Sequence, residues 1–270
     1  MAPERMWSAY KEFCHIRERA LMTGSCDLTG LHRVCPTVLL PLVDFLRRTE
    51  VPWIPPIDGA LSECISAAVQ EQLRIVHDGP TYDQVVKLPR GHQELTGSLA
   101  AFSRRHDWGS EYGGRNALMY LIGELVHNVY DHSDSSNSYL MAHRDDCGKD
   151  MELAVFDDGV TMAGSLRRSG IVVEDDVLAI AMAMNGLSSK GEGRRGYGLR
   201  SNVRMCVQGL RGSVLAVSGG GAIEFRAFEE GRDDVQEGYE LNGNVYRLAG
   251  TLVSVRIPFQ KKGVNIYDFV

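Results

Sequence analysis

The sequence predicts an α+β fold in which a largely antiparallel sheet follows a small α/β region. Strand-like segments at Ser213–Ser218, Ala222–Phe228 and Thr251–Pro258 lie near the end of the chain, in an order that is not the alternating βαβ type. The triplet Gly219–Gly221 between the first two predicts a hairpin turn. With 270 residues, of which 44% are hydrophobic, the chain can bury the core of one or two domains.

Periodicity predicts the remaining elements in chain order. Apolar residues recur at helical spacing in the six segments named at the end of this paragraph. Residues Cys26–Val34 indicate a strand followed by a turn. The three prolines of Val51–Ile57 exclude a helix there. A buried strand is predicted at Met151–Phe156. The predicted helices are Trp7–Thr23, Thr37–Arg48 opened by Pro36, residues 60–76, Asn116–Asp131, Asp175–Asn185 and Leu199–Gln208.

Composition divides the chain into two parts. Only six of the 29 glycines lie in the first 105 residues. Gly79, Pro80, Pro89 and Gly91 indicate a connection between the parts. We therefore predict a small α/β domain over 1–90, a linker over 91–107, a second domain over 108–260 and a C-terminal tail over 261–270.

The helix at Asn116–Asp131 carries an acid and an amide beside its apolar stripe. Glu124 and Asn128 are four residues apart, so their side chains are neighbours on the helix surface. A solvated polar face is the ordinary interpretation of a single such pair. Three later features favour a binding site instead. They are an apolar strand ending in Asp157-Asp158-Gly159, the glycine-rich segment 191–199 opening a helix, and Gly250-Thr251 entering a strand.

In this order the four features resemble the histidine-kinase-like ATPases, the GHKL or Bergerat fold, over about residues 108–260. Residues 124–132, Glu-Leu-Val-His-Asn-Val-Tyr-Asp-His, match the N box of that superfamily. The resemblance implies an α/β sandwich whose mixed, largely antiparallel sheet is covered by helices on one face. It also implies that Asn128 holds Mg²⁺ and that Glu124 orients or deprotonates the attacking water or hydroxyl.

The glycine boxes of the superfamily supply the remaining implied contacts with ATP. Asp157 and Gly159 match the first box, whose Asp accepts a hydrogen bond from the adenine amino group. Gly196 and Gly198, followed by Leu199, match the second box on the triphosphate, and Thr251 matches a residue that supports the Asp. Residues 160–195 would form a lid whose Ser189, Lys190, Arg194 and Arg195 could contact phosphate. Thr161 stands where the family has a second glycine.

The N-terminal part resembles the strand, turn and helix of STAS domains, the partners of anti-sigma-factor kinases. The similarity lies in Cys26–Leu40. The position of the phosphorylatable Ser holds Cys35 or Pro36, with Thr37 next, so the acceptor is lost or shifted. An unrelated small α/β cap is the alternative.

These features predict a Mg-ATP-binding regulatory protein that hydrolyses ATP or transfers its γ-phosphate to a protein hydroxyl. The alternative is a nucleotide-gated interaction module with little turnover. We expect a regulatory protein partner. The sequence leaves two questions open, namely whether that partner is STAS-like and whether the protein forms a homodimer. A net charge of −6 disfavours nucleic acid, and no apolar run is long enough to span a membrane. The six cysteines lack CxxC spacing, which favours reduced thiols and a cytoplasmic location.

Overall fold

The computed structural model describes residues 5–33, 35–71, 85–105, 111–145, 148–185, 198–226, 235–240, 244–260 and 263–269. The helices are α1 (Met6–Thr23), α2 (Pro36–Thr49), α3 (Gly59–Val69), α4 (His92–Arg105), α5 (Arg115–His132), α6 (Met162–Arg168), α7 (Asp176–Met184) and α8 (Gly198–Arg204), which continues into a π-helical turn at Met205–Gly209. The strands are β1 (Cys26–Asp27), β2 (Trp53–Ile54), β3 (Val86–Lys87), β4 (Ser138–Arg144), β5 (Asp150–Asp157), β6 (Ser213–Gly219), β7 (Gly221–Arg226), β8 (Val235–Glu240) and β9 (Leu248–Pro258).

A seven-stranded sheet in the order β3-β4-β5-β9-β6-β7-β8 organises the molecule, and every neighbouring pair in it is antiparallel. The predicted α+β class is confirmed, as is the hairpin at Gly219–Gly221, which joins β6 to β7. Strands β1 and β2 form a separate parallel pair near the N-terminus.

Both faces of the sheet are covered, whereas the sequence-based expectation was helices on one face. Successive strand residues point to opposite faces. In β5, Leu153 and Val155 belong to one buried cluster and Ala154 and Phe156 to another. A strand that is apolar on both sides needs a layer on each, and the second layer consists of α1, α2 and α3. We call the side covered by these three helices the N-terminal face.

Two glutamates on the N-terminal face receive the first turns of α1 and α2. Neither helix has a side-chain cap at its own N-terminus. Glu224 of β7 accepts hydrogen bonds from the backbone N–H groups of Met6 and Trp7. Glu152 of β5 accepts from the Thr37 N–H at 2.9 Å. Because helix N-termini carry unpaired N–H groups and partial positive charge, both carboxylates fix the orientation of a helix against the sheet.

The other side of the sheet, which we call the α5 face, carries α4, α5, α7 and α8. The apolar stripe of α5 is buried there, as predicted. Residues 91–107, predicted to be a linker, contain α4, whose Leu95 and Phe102 lie in the core of this face. The helix predicted over 60–76 ends at Val69 in the structure, and residues 72–84 lie outside the described part.

Two further expectations concern thiols and membranes. Cys14, Cys26, Cys35, Cys64 and Cys206 are free and buried, as the spacing predicted. Cys147 lies outside the described residues. Among the helices that the structure describes, none is long and apolar enough to cross a bilayer.

Candidate functional site

Three polar residues form a row across the ends of three neighbouring strands. Asp157 at the end of β5 pairs with Thr251 of β9, and Thr251 pairs with Ser218 of β6. Their side chains have the same alternation as Val155, Val253 and Ala216, which lie in the core of the α5 face. The row therefore faces the layer that contains helix α5.

Asp157 is a buried acid with little to favour its charge. Its side chain is 4% exposed, and its Oδ1 accepts a hydrogen bond from the Gly159 N–H at 3.0 Å. The pKa of Asp157 is raised to about 8, chiefly by burial. The charges of Asp158 and Asp44 also raise it, and the Gly159 hydrogen bond lowers it. Within the described residues that hydrogen bond is the one contact that lowers this pKa. A ligand that donates a hydrogen bond to the Asp157 carboxyl would add a second contact that lowers this pKa.

Two glycines allow the backbone to pass close beside this row. A Cβ at Gly159 would overlap the carbonyl oxygen of Ser133, just after α5. Gly250 has a φ of 94°, and a Cβ there would overlap the carbonyl oxygen of Asp157. Both positions require glycine because the chain packs against itself. At Gly159 this explanation differs from the predicted close approach to a ligand.

The turn after Asp157 fixes the end of β5 to the loop after α5. Asp158 Oδ1 accepts from the N–H groups of Ser136 and Asn137, each at 2.8 Å. The Val160 N–H donates to the carbonyl oxygen of Ser133 at 2.6 Å. These bonds hold helix α5 in a defined position relative to Asp157. Sequence analysis assigned no role to Asp158, although its place in a turn after a strand is typical of such backbone bonding.

Helix α5 presents Glu124 and Asn128, both half-buried. Asn128 Nδ2 donates to the carbonyl oxygen of Glu124 at 2.6 Å, which leaves the amide oxygen as an acceptor. An amide oxygen is a suitable ligand for Mg²⁺, which takes few protein ligands when it binds through phosphates. Tyr120, one turn earlier, bonds to Ser201 of α8. Burial raises the pKa of Tyr120, and the nearby charge of Glu124 raises it as well. Glu124 therefore lies near the contact between α5 and α8.

The segment predicted to be a lid begins with ordered helix. Thr161, in place of a second glycine, has a φ of −66° and caps α6 by accepting from the Gly164 N–H at 3.1 Å. Its position therefore does not require glycine. Helices α6 and α7 lie within residues 160–195.

The glycine-rich segment is described only at its end. Gly198 is the first residue of α8, and Leu199 is half-buried against the core of the α5 face. Ser189, Lys190, Arg194, Arg195 and Gly196 lie outside the described residues. Their predicted phosphate contacts stay predictions.

Ser218 is the member of the row that sequence analysis missed. Its side chain is 1% exposed, and its hydroxyl lies 2.9 Å from Thr251 Oγ1. It also accepts from the Met162 N–H at 2.8 Å. The available signal was a serine ending an apolar strand beside a glycine turn, but strand neighbours cannot be assigned from one sequence.

The N-terminal segment that resembles STAS domains places its remaining hydroxyl inside the protein. Thr37 is fully buried, and its Oγ1 donates to Glu152 Oε1 at 2.7 Å. Cys35 is also buried and contacts the same carboxylate. In this arrangement Thr37 connects helix α2 to the sheet.

No protein-family model and no curated protein matches the chain. Among solved structures, the histidine kinase domain of the blue-light activated histidine kinase from Erythrobacter litoralis EL346 is similar at 11% identity, with a TM-score of 0.29. The alignment covers 97% of this chain and 99% of that one. At that TM-score the similarity has no weight for fold or function.

Proposed function

We propose that this chain is a Mg-ATP-binding protein of the histidine-kinase-like ATPase type. The observation that carries the proposal is the buried carboxyl of Asp157, which lies on the same sheet face as the helix bearing Glu124 and Asn128. Burying a carboxyl group that accepts one hydrogen bond lowers the stability of the fold unless a ligand supplies further hydrogen bonds. The amino group of adenine is a donor of the right kind.

Each residue has a role that suits its chemistry. Asp157 would accept from the adenine amino group, with Thr251 beside it in the row. Asn128 would offer its amide oxygen to Mg²⁺, which would neutralise charge on the phosphates. The N–H groups at the start of α8 and the basic residues before it would lie near phosphate oxygens.

Glu124 supplies the base in this proposal. Phosphoryl transfer depends on positioning and charge stabilisation, so a carboxylate that orients water or a hydroxyl is sufficient. The acceptor is water or a hydroxyl of a regulatory protein partner. Glu124 lies one turn before Asn128 on the same helix, so metal and base would act on the same phosphate end.

Calorimetric titration with a non-hydrolysable ATP analogue and Mg²⁺ tests the proposal. We expect Asn128→Ala and Asp157→Ala to lose binding, because they remove a metal ligand and the acceptor for the adenine amino group. Glu124→Gln should bind normally but lose phosphate release. His127→Ala is the matched control, since it is exposed on the same helix between the two site residues. Parental affinity in both the Asn128 and the Asp157 variant, or parental phosphate release in Glu124→Gln, would refute the assignment.

Turnover decides between an enzyme and a nucleotide-gated module. A parent that binds the analogue, releases no phosphate and binds its protein partner only with ATP would be a gated module. Equal partner affinity with ATP, with ADP and without nucleotide would dismiss gating.

A further inference from the structure

Asp158, in the turn after β5, holds the loop that follows helix α5. We call residues 133–137, between α5 and β4, the α5 loop. Asp158 Oδ1 accepts from the backbone N–H groups of Ser136 and Asn137, and its Oδ2 accepts from Asn137 Nδ2 at 2.9 Å. The Asp158 N–H donates to the carbonyl oxygen of Asn137 at 3.0 Å. Both the side chain and the backbone of Asp158 are therefore attached to the α5 loop, and we call these bonds the Asp158 clamp.

The next two residues limit the movement of the α5 loop further. A Cβ at Gly159 would overlap the carbonyl oxygen of Ser133, so the two backbones are already in close contact. The Val160 N–H donates to the same carbonyl oxygen at 2.6 Å. The α5 loop therefore cannot move toward the turn without a collision, or away from it without breaking hydrogen bonds.

The Asp158 clamp lies between the two ends of the proposed nucleotide site. Asp157 directly precedes Asp158 in the chain. Asn128 lies four residues before the last residue of α5, His132, which is about 6 Å along the helix at 1.5 Å per residue. The apolar stripe of α5 holds the helix against the sheet, but apolar contacts are not directional. Directional hydrogen bonds at the end of α5 therefore help to fix where Asn128 lies relative to Asp157.

The contribution of Asp158 is its acceptor atoms rather than its charge. The charge of Asp158 raises the pKa of Asp157, and it also raises the pKa of the buried Asp44 on α2. A negative charge at this position is thus unfavourable for the ionised form of both neighbouring acids. Asparagine in place of Asp158 would keep an acceptor oxygen for the two backbone N–H groups without that charge.

We propose that Asp158 is a positioning residue that couples the metal end of the nucleotide site, at Asn128, to its base end, at Asp157. The proposal rests on the proposed function. The two ends bind different parts of one ligand, so a fixed spacing between them allows both to be occupied in good geometry at the same time. Without the clamp the base end still binds its part of the ligand, but the metal end is displaced from the phosphates.

The test compares a ligand that uses one end with a ligand that uses both. Adenosine contacts the base end alone, and its affinity is measured by ligand-observed NMR. A non-hydrolysable ATP analogue with Mg²⁺ contacts both ends, and its affinity is measured by calorimetry. We expect Asp158→Ala to weaken binding of the analogue about tenfold and to change binding of adenosine less than about twofold. Asp158→Asn should restore most of the ratio of the two affinities.

Hydrogen exchange of the free protein provides a readout that needs no ligand. The N–H groups of Ser136 and Asn137 should exchange faster in Asp158→Ala than in the parent, because they lose their acceptor. Asp158→Asn should keep most of their protection. Parental exchange rates in Asp158→Ala would show that the clamp does not hold the α5 loop.

Asp145→Ala is the matched control. Asp145 Oδ1 accepts from the Asp150 N–H at 3.1 Å, in the hairpin at the opposite ends of β4 and β5. It removes the same kind of bond far from Asp157, so we expect it to leave the affinity ratio unchanged. If Asp158→Ala does not fold, Asn137→Ala replaces it in the comparison, and the loss of the Nδ2 bond alone should lower the ratio about twofold.

The outcomes separate this proposal from the proposed function. An unchanged affinity ratio, an equal loss for both ligands, or the same loss of ratio in Asp145→Ala would overturn the positioning role of Asp158 alone. A ratio that Asp158→Asn does not restore would also overturn it, because the acceptor atoms would then not be what matters. A parent that binds neither adenosine nor the analogue would overturn the proposed function as well.

Discussion

Strand β5 carries two buried acids, Glu152 near its start and Asp157 at its end, on opposite faces of the sheet. Glu152 accepts from Thr37 and from Arg256 Nη2 at 2.8 Å. Burial opposes its charge, but the Arg256 guanidinium and the Thr37 hydrogen bonds hold the pKa of Glu152 below its usual value. Asp157 has one backbone hydrogen bond and a pKa raised to about 8.

The difference separates a structural acid from a candidate site acid. Glu152 is completed by its own chain, and it fixes helix α2 and strand β9 against β5. Asp157 is not completed within the described residues. Burying a polar group without hydrogen-bond partners destabilises a fold. A buried carboxyl with a single hydrogen bond at the end of a strand therefore indicates a candidate ligand site.

The largest expected effect is at Asp157. Because its folded-state pKa of about 8 lies above the ordinary 3.8, the neutral carboxyl contributes fully below about pH 4, and that contribution is lost as the pH rises through 8. Asp157→Asn stays neutral, so we expect it to exceed the parent in free energy of unfolding by up to about 5 kcal/mol at pH 9, at about 1.4 kcal/mol per pKa unit. Urea denaturation at pH 5 and pH 9 measures this. A difference that is the same at both pH values would show that Asp157 is charged throughout.

Glu152 should behave in the opposite way. Its lowered pKa means that its contribution is present above its ordinary value of 4.5 and is lost as the pH falls through the folded-state pKa. At pH 7 we expect Glu152→Ala to lower the free energy of unfolding by about 3–5 kcal/mol, since it removes the carboxylate that both the half-buried Arg256 guanidinium and the first turn of α2 contact. Urea denaturation gives the value, and Glu63→Ala on the exposed side of α3 is the control.

A double variant sharpens the result at Glu152. Replacing both Glu152 and Arg256 by Met removes the whole pair and should recover much of the loss. A loss at Glu152→Ala no larger than that of the control would mean that the ion pair does not hold the N-terminal face in place.

The smallest expected effect on stability distinguishes Gly250, which lies against backbone, from Gly123, which has open space around it. Gly250→Ala puts a side chain at a φ of 94° against the Asp157 backbone, so we expect a loss of about 1–3 kcal/mol together with loss of ATP-analogue binding. Gly123→Ala is the matched control. Gly123 lies within α5 beside Glu124 with open space around its Cα, and alanine there should stabilise by about 0.5–1 kcal/mol with binding unchanged. Thermal denaturation with and without the analogue measures both. Equal behaviour of the two variants would contradict the packing at Gly250.

Much of the local structure could be predicted from the sequence because it depends on short-range pattern. The stripe on α5, the apolar run of β5 and the triple-glycine hairpin each have a period or a turn signal that one segment contains. The continuous apolar run Leu153–Phe156 also carried a signal that was missed, since a strand that is apolar at every position is covered on both faces. Strand β4 and helix α4 were not predicted, although both contribute residues to the buried clusters on the sheet.

One sequence is enough to show that Asp157 and Gly159 follow a buried strand and that Glu124 and Asn128 share one side of a helix. Which polar groups meet depends on the tertiary structure. Strand register aligns Asp157, Thr251 and Ser218 from three distant parts of the chain, and it directs Glu152 to the opposite face, where Thr37 and Arg256 complete it. The physical reason is that the pleat alternates side chains between two layers, so the partner of each buried acid depends on long-range pairing that no local pattern encodes.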